Sequence, residues 1–403
     1  MKHTPDSELT KIKTFGELKM SDYQPKNIKD ELRSNLIAYI KNKENPFKGI
    51  HGYEDTVVPE LERAILSRHN INLLGLRGQA KTRIARLMVN LLDEYIPVIE
   101  GSELNEDPFN PLTIVSKEKI KEEGDGLKIS WMHREDRYTE KLATPDVSVA
   151  DLIGDVDPIK AASLKLTYND ERVIHFGLIP RSHRGLFVIN ELPDLQARIQ
   201  VALFNILQEG DIQIRGFKLR LPLDIMFVFT ANPEDYTNRG SIVTPLKDRI
   251  ESQIITHYPE NIAIGKTITQ QEAKIPDDQL RTVVVNETIK DVVEQVASEA
   301  RKNEYIDEKS GVSARLTITA IENLMSSAER RAIINNEEKA NIRMTDLNAI
   351  IPAITGKVEL VYEGEQEGAI MVARDLIGKA IRTLFVTKFP NTEAFRKKQD
   401  KNP

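Results

Sequence analysis

Short apolar runs alternate with amphipathic stretches through roughly the first two thirds of the chain, and then the short runs stop. Residues 71–74 are apolar, Gly75 follows, and Ile84, Leu87, Met88 and Leu91 recur at helical spacing, which predicts strand, glycine turn and helix. Residues 95–100 predict a second strand. The run 185–191 is apolar through its centre, as a strand buried on both faces is, and ends in the polar pair Asn190-Glu191. A helix is then predicted from Leu195, Ile199, Leu203, Ile206 and Leu207. Residues 225–230 form another apolar run, ending at Ala231-Asn232-Pro233, and 253–257 a last one. Two hairpins are predicted from alternation around turn residues. One pairs 164–167 with 172–176 around Tyr168-Asn169-Asp170-Glu171; the other pairs 211–214 with 217–220 around Arg215-Gly216. Beyond about residue 262 only helical periodicity remains, over 289–301, 317–334, 345–354 and 369–384.

Residues 1–45 are charged, with a weak helical pattern from Ile28 to Ile40 that Asn45-Pro46 ends, and predict a peripheral helix or flexible arm. The polar tail 391–403 predicts disorder. The pattern therefore divides into an N-terminal helical arm (1–45), an α/β core (46–262), a helical domain (263–356) and a C-terminal helix with polar tail (357–403). A length of 403 residues suits such a division, and 40% hydrophobic with 29% charged residues is ordinary for a globular protein. The net charge of −6 argues against a general nucleic-acid binder, although the hairpin residues Arg215, Lys218 and Arg220 are basic. With no cysteine there are no disulfides and no thiolate metal sites. No apolar signal core opens the chain and no run reaches the roughly 18 apolar residues of a membrane helix, so a cytoplasmic location is expected.

The chemistry is concentrated in Gly75-Leu76-Arg77-Gly78-Gln79-Ala80-Lys81-Thr82. Its spacing matches a phosphate-binding loop, with Ala80 where glycine usually precedes the lysine. Backbone N–H groups at a helix start attract phosphate oxygens. Lys81 suits the β- and γ-phosphates, and the Thr82 hydroxyl suits Mg²⁺. One helix upstream, the turn Gly49-Ile50-His51-Gly52-Tyr53 offers apolar Ile50 and Tyr53 for an adenine base; a simple helix start explains the same spacing. The only tryptophan, Trp131, reads as packing, and His175 and His183 as hairpin or loop residues. No His-x-x-x-His or His-Glu-x-x-His pair suggests zinc chemistry.

Taken together, Gly75–Thr82, Phe176-Gly177-Leu178-Ile179-Pro180 with His183-Arg184-Gly185-Leu186, Asn232-Pro233-Glu234 and Leu246-Lys247-Asp248-Arg249 resemble an AAA+ ATPase of the helix-2-insert clade, the MoxR and magnesium chelatase I subunit family. The resemblance spans roughly residues 46–356. It implies a P-loop NTPase core with a parallel five-stranded sheet between helices, two hairpins (the helix-2 insert and the one before sensor 1), and an α-helical lid. It implies Gly75, Gly78, Gln79, Ala80, Lys81 and Thr82 as Walker A. Glu191 becomes the base that polarises water, Asn232 sensor 1, Arg249 the arginine finger on a neighbour's ATP, and Arg315 sensor 2. A surface ion pair would explain either arginine as well outside this motif context. ATP and Mg²⁺ are the implied cofactors, with Thr82 and residue 190 on the metal side. At 190 the family's Walker B aspartate is Asn190, which accepts a hydrogen bond but carries no charge. Weakened Mg²⁺ binding and slow hydrolysis are expected, and Asn190→Asp should strengthen both. The implied assembly is a homo-oligomer, a hexameric ring, remodelling a partner with a von Willebrand A domain. Two other readings stay open: a narrower one, a magnesium chelatase I subunit acting on protoporphyrin, and one of another class, a nucleotide-gated scaffold with little turnover.

Overall fold

A computed structural model describes residues 9–167, 170–214, 220–233 and 241–389. Residues 1–8, 168–169, 215–219, 234–240 (with Glu234 and Arg239) and 390–403 lie outside the described residues. The chain divides into two compact units. One comprises Met1–Ile50, Glu54–Gly75 and Ala80–Thr256; the other comprises His51–Tyr53, Leu76–Gln79 and His257–Pro403.

In chain order the strands of the first unit are β1 (Ile71–Leu74), β2 (Tyr95–Ile99), β3 (Ile129–His133), β4 (Tyr138–Leu142), β5 (Gly154–Val156), β6 (Ile174–Phe176), β7 (Gly185–Asn190), β8 (Asp211–Gln213), β9 (Arg220–Pro222), β10 (Ile225–Ala231) and β11 (Ser252–Ile255). Five of them form one sheet in the order β11-β1-β10-β7-β4, with every neighbouring pair parallel. β7 and β10 are buried along their whole length, which is why their sequences are apolar without alternation. Leu74 pairs with both Ala231 and Ile255, and Leu142 pairs with Asn190. The carboxyl ends of the strands thus lie along one edge, where open α/β sheets place their ligands.

The helix Ala197–Glu209 turns Ile199, Leu203 and Ile206 into the same apolar cluster as Phe187, Ile189, Phe227 and Phe229. Burying each such side chain is worth about 1.5–3 kcal/mol. The N-terminal segment, expected as a peripheral helix or a flexible arm, is helical and packed. Its helices, α1 (Phe15–Met20) and α2 (Ile28–Asn42), bury Leu18, Leu32 and Leu36 completely or nearly so. Asn27 caps α2 through the Asp30 N–H, and Asp224 accepts from the Ile28 N–H. Glu31 of α2 makes a two-pronged ion pair with Arg137, both contacts 2.6 Å long and both side chains almost wholly out of water.

Both hairpin pairings are corrected, and the sheet order adds what the pattern left open. The run 95–100 is a strand, but it pairs antiparallel with β3 outside the central sheet. Pro97 within it has no N–H to donate, which a strand with one free edge tolerates and a central strand does not. The fifth strand of the sheet is β4, whose half-exposed sequence Tyr-Thr-Glu-Lys-Leu has no apolar run to announce it. The first hairpin pairs β5 with β6, not 164–167 with 172–176; Leu164 instead ends the helix Pro158–Leu164, which Asp157 caps. In the second hairpin the return strand is β9, so the pairing begins at Arg220 and its tip falls outside the described residues. Trp131 lies on β3 and donates to the Ile12 carbonyl, a packing role as read. His183 is buried and accepts from the Asp224 N–H at 3.0 Å, a satisfied core histidine.

The second unit is mainly helical, with Ile262–Glu272, Glu287–Ala300, Arg315–Asn335 and Ala369–Lys388 as its long helices. Strand pairing does not cease entirely: β12 (Val283–Val284) lies parallel to β13 (Ala340–Asn341). The last helix, predicted over 369–384, spans Ala369–Lys388 and packs within this unit. Val372, Ala373, Leu376, Ile377, Ala380 and Leu384 share one apolar cluster with Val293, Leu316 and Leu324. The loop tip Leu76–Gln79 belongs to this unit. Gly78 has φ +75°, and a side chain there would run into Ser313, so glycine is required both by backbone conformation and by space. Among the described residues no helix is long and apolar enough to cross a membrane.

Candidate functional site

The site is built at the carboxyl ends of β1, β7 and β10. After β1 the backbone turns through Gly78 and then Ala80, which has φ 57° and ψ 16° as the residue before the helix Lys81–Leu87. A left-handed alanine costs about 1–2 kcal/mol, which explains why glycine is the usual choice there. No side chain caps this helix. The start of a helix presents backbone N–H groups, a position that suits a phosphate.

Lys81 is buried at 7% exposure. Its ammonium donates to the Gly75 carbonyl and, across 2.7 Å, to Asn232 Oδ1. The other end of the Asn232 amide donates to Glu191 Oε2 at 2.8 Å. Glu191 itself stands in a left-handed conformation, φ 56° and ψ 51°, directly after β7, and its N–H donates to Thr230 Oγ1 at 3.1 Å. A non-glycine residue held there costs energy that the surroundings must supply, a pattern concentrated at functional sites. Lys81, Asn232 and Glu191 are thus one hydrogen-bonded string.

A second string runs beside it. Thr82 Oγ1 donates to Asn190 Oδ1 at 3.3 Å, and Thr230 Oγ1 donates to the same oxygen at 3.1 Å. Asn190 Nδ2 donates to Glu140 Oε1 at 2.5 Å. Glu140 Oε2 in turn accepts from Arg86 at 2.9 Å and from the Tyr138 hydroxyl at 3.0 Å. Burial, with the adjacent Glu140 charge, raises the Tyr138 hydroxyl pKa well above its ordinary value. The polar groups around Thr82 are hydroxyl, amide oxygen and carboxylate, a hard-oxygen set that suits Mg²⁺. Among the described residues no group of three or more His, Cys, Asp and Glu gathers as a metal cage.

The structure therefore brings together five residues singled out in the sequence: Lys81, Thr82, Asn190, Glu191 and Asn232. Arg249 is placed apart from them. Its guanidinium donates to Gln208 Oε1 at 2.7 and 3.0 Å and to the Pro245 carbonyl at 2.7 Å, with the Phe204 ring 5.1 Å away. Arg315 is exposed at the first turn of Arg315–Asn335, two residues from the Ser313 that abuts Gly78. Ile50 is buried at 7% exposure in the first unit. Tyr53, at 5%, has its hydroxyl 2.7 Å from the His257 carbonyl and 3.0 Å from the Gln79 carbonyl, which ties it to the loop tip. Sequence reasoning missed Glu140 and Thr230. Thr230 carries a signal, as a polar residue closing an apolar run. Glu140 carries none, because only the sheet order puts β4 beside β7.

No protein-family model matches the chain. Among solved structures it is similar to a protein from Cytophaga hutchinsonii assigned as an ATPase, at 17% identity over 91% of this chain and 98% of that one, with a TM-score of 0.35. It is similar to a complex of subunits BchI and BchD of magnesium chelatase, at 20% identity over 80% and 98%, with a TM-score of 0.40. RuvB of Thermotoga maritima shares 12% identity over 76% and 71%, with a TM-score of 0.41. The molecule's own geometry sets the loop Gly75–Thr82 after β1, Asn190 and Glu191 at the end of β7 and Asn232 after β10 of a parallel sheet, followed in the chain by a helical unit. That arrangement resembles the AAA+ P-loop fold class. Within it, the chain resembles the MoxR and magnesium chelatase branch.

Proposed function

We propose that this protein is an AAA+ ATPase that assembles into a homo-oligomeric ring and remodels a partner protein. The observation that carries the reading is the string Lys81–Asn232–Glu191 set beside Thr82–Asn190 at the ends of three adjacent parallel strands. In it a cation for phosphate, a carboxylate for water and an amide between them are already aligned. Bound Mg²⁺ supplies charge stabilisation to the transferring phosphoryl group. Lys81 exchanges its carbonyl and amide acceptors for phosphate oxygens. Asn232 keeps Glu191 Oε2 oriented, and Glu191 takes the proton of the attacking water. Thr82 and Asn190 would hold the metal side, with the Thr82 hydroxyl and the Asn190 amide oxygen as the oxygens offered there. Gly75, Gly78, Gln79 and Ala80 supply the loop backbone, and Ile50 and Tyr53 the adenine side. Arg249 serves as the finger for a neighbouring subunit's ATP and Arg315 as the lid contact. A partner with a von Willebrand A domain, a hexameric ring and a cytoplasmic location complete this reading.

The test is nucleotide binding by calorimetry and steady-state ATP hydrolysis for wild type, Lys81→Ala and Glu191→Gln. Binding lost in the first variant, and hydrolysis lost with binding kept in the second, support the proposal. Unchanged binding in Lys81→Ala rejects it. Asn190 favours a second reading, a nucleotide-gated scaffold; that reading wins if wild type binds ATP yet turns over no faster than Glu191→Gln. A narrower version, a magnesium chelatase I subunit, requires ATP-dependent Mg²⁺ insertion into protoporphyrin once the other chelatase subunits are supplied.

A further inference from the structure

We propose that the negative charge absent from position 190 is supplied by Glu140 on the neighbouring strand, so that Asn190 and Glu140 act as one unit toward the nucleotide's Mg²⁺. The inference rests on the nucleotide-site reading above. The register explains how the pair meets. Glu140 is opposite Val188 and Leu142 is opposite Asn190, so Glu140 and Asn190 are diagonal neighbours on one face of the sheet.

The hydrogen bonds then decide the chemistry. An ionised carboxylate only accepts, so Glu140 Oε1 at 2.5 Å selects the Nδ2 end of the Asn190 amide. Oδ1 is thereby turned toward the Thr82 and Thr230 hydroxyls. An aspartate at 190 would set two carboxylate oxygens against each other at this distance, and one would have to take a proton or move away. Asparagine is the residue that fits beside Glu140, and the pair keeps one negative charge where a lone aspartate would also carry one. The charge lies one side chain farther from Thr82, so its pull on Mg²⁺ is weaker but not lost. Arg86 contacts Glu140 on the far side, but its side chain is 67% exposed, and a pair so open to water offsets the carboxylate little. Glu140 is a positioning residue: it acts through Asn190. The expectation for Asn190→Asp is reversed, because that change alone adds a repelling carboxylate.

The experiment is calorimetric titration of the full-length protein with ADP and with a slowly hydrolysed ATP analogue across a Mg²⁺ series. The proteins are wild type, Glu140→Gln, Asn190→Asp, the double variant Asn190→Asp/Glu140→Gln, and Arg86→Met, with Lys81→Ala as the control for the underlying reading. Glu140→Gln should keep metal-free ADP binding and raise the Mg²⁺ needed for half-maximal effect by roughly 10-fold, the scale on which outer partners of a metal site act. Asn190→Asp should show no gain over wild type. The double variant returns the charge to 190 beside a neutral amide, and should recover wild-type Mg²⁺ dependence. Arg86→Met should leave that dependence unchanged or strengthen it. Unchanged Mg²⁺ dependence in Glu140→Gln, a double variant no better than Glu140→Gln, or an Arg86→Met that mimics Glu140→Gln would overturn the inference. The last of these would assign Glu140 to the surface ion pair. Wild-type nucleotide affinity in Lys81→Ala would instead overturn the nucleotide site itself, and this inference with it.

Discussion

Lys81 and Asn232 are 151 residues apart in the chain and 2.7 Å apart in space, the ammonium donating to the amide oxygen. The contact joins the residue that would meet phosphate to the one that holds Glu191 Oε2. Asn232→Ala should separate binding from turnover. ATP affinity should change by less than about 10-fold, while kcat should fall by roughly 10²-fold or more, the usual cost of losing one oriented polar group at a reacting centre. Equilibrium binding and steady-state kinetics on the same preparation check this. An equal loss in both would mean that Asn232 serves only the fold of the loop.

Arg249 has its intramolecular partners on Gln208 and Pro245, not among the residues around Lys81. If it acts on a neighbour's ATP, Arg249→Ala should bind nucleotide normally and lose about 10³-fold or more in hydrolysis. Mixing it with Lys81→Ala should restore part of the activity, because some interfaces then combine an intact loop with an intact finger. Mixed and separate hydrolysis rates decide the matter. No recovery on mixing, with co-assembly shown by mass measurement, would remove Arg249 from that role.

The Glu31–Arg137 pair is almost fully desolvated. Glu31→Ala should cost about 3–5 kcal/mol, because it leaves a buried guanidinium uncompensated. Replacing both residues by methionine should recover most of that loss. Urea unfolding of the two variants measures it; a cost below about 1 kcal/mol for the single change would show that water reaches the pair.

Asp224 and His183 make opposite contributions to acid stability. Burial raises Asp224 to about 6, opposed by its bond from the Ile28 N–H and by Arg184 and Arg137. Between about 4 and 6 the folded state therefore keeps a proton that the unfolded chain has lost, and stability falls as pH rises. Burial, aided by the Arg184 charge, lowers His183 to about 3, so its stability is full above about 6.5 and is lost as pH falls toward 3. Asp224→Asn keeps an acceptor for Ile28 and removes the first effect alone. The variant should gain on wild type as pH rises from 4 to 7, and its own acid sensitivity should steepen. Urea midpoints at both pH values test the sign; a variant that loses ground at pH 7 contradicts it.

Much of this molecule was legible from residue order, for a physical reason. A strand buried on both faces must be apolar throughout, so β1, β7 and β10 announce themselves. Asn190, Glu191 and Asn232 stand out as polar residues closing such runs. The phosphate loop depends on backbone conformation over eight consecutive residues, so its spacing is local and readable. Helices 287–300 and 315–335 likewise show their periodicity because one face is core. Only the tertiary structure decided the rest. β4 is half-exposed at the sheet edge, so its composition is polar and no pattern marks it. Residues 95–99 carry an apolar pattern that a core strand shares with any strand packed on one face, and their pairing with β3 is nonlocal. The N-terminal helices show only a weak stripe, because a few fully buried leucines and one ion pair seat them. Glu140 becomes meaningful only because the sheet order brings β4 beside β7 and sets its carboxylate against the amide at 190. Residue type and spacing determine local conformation; which charge faces which amide depends on the order in which distant strands pair.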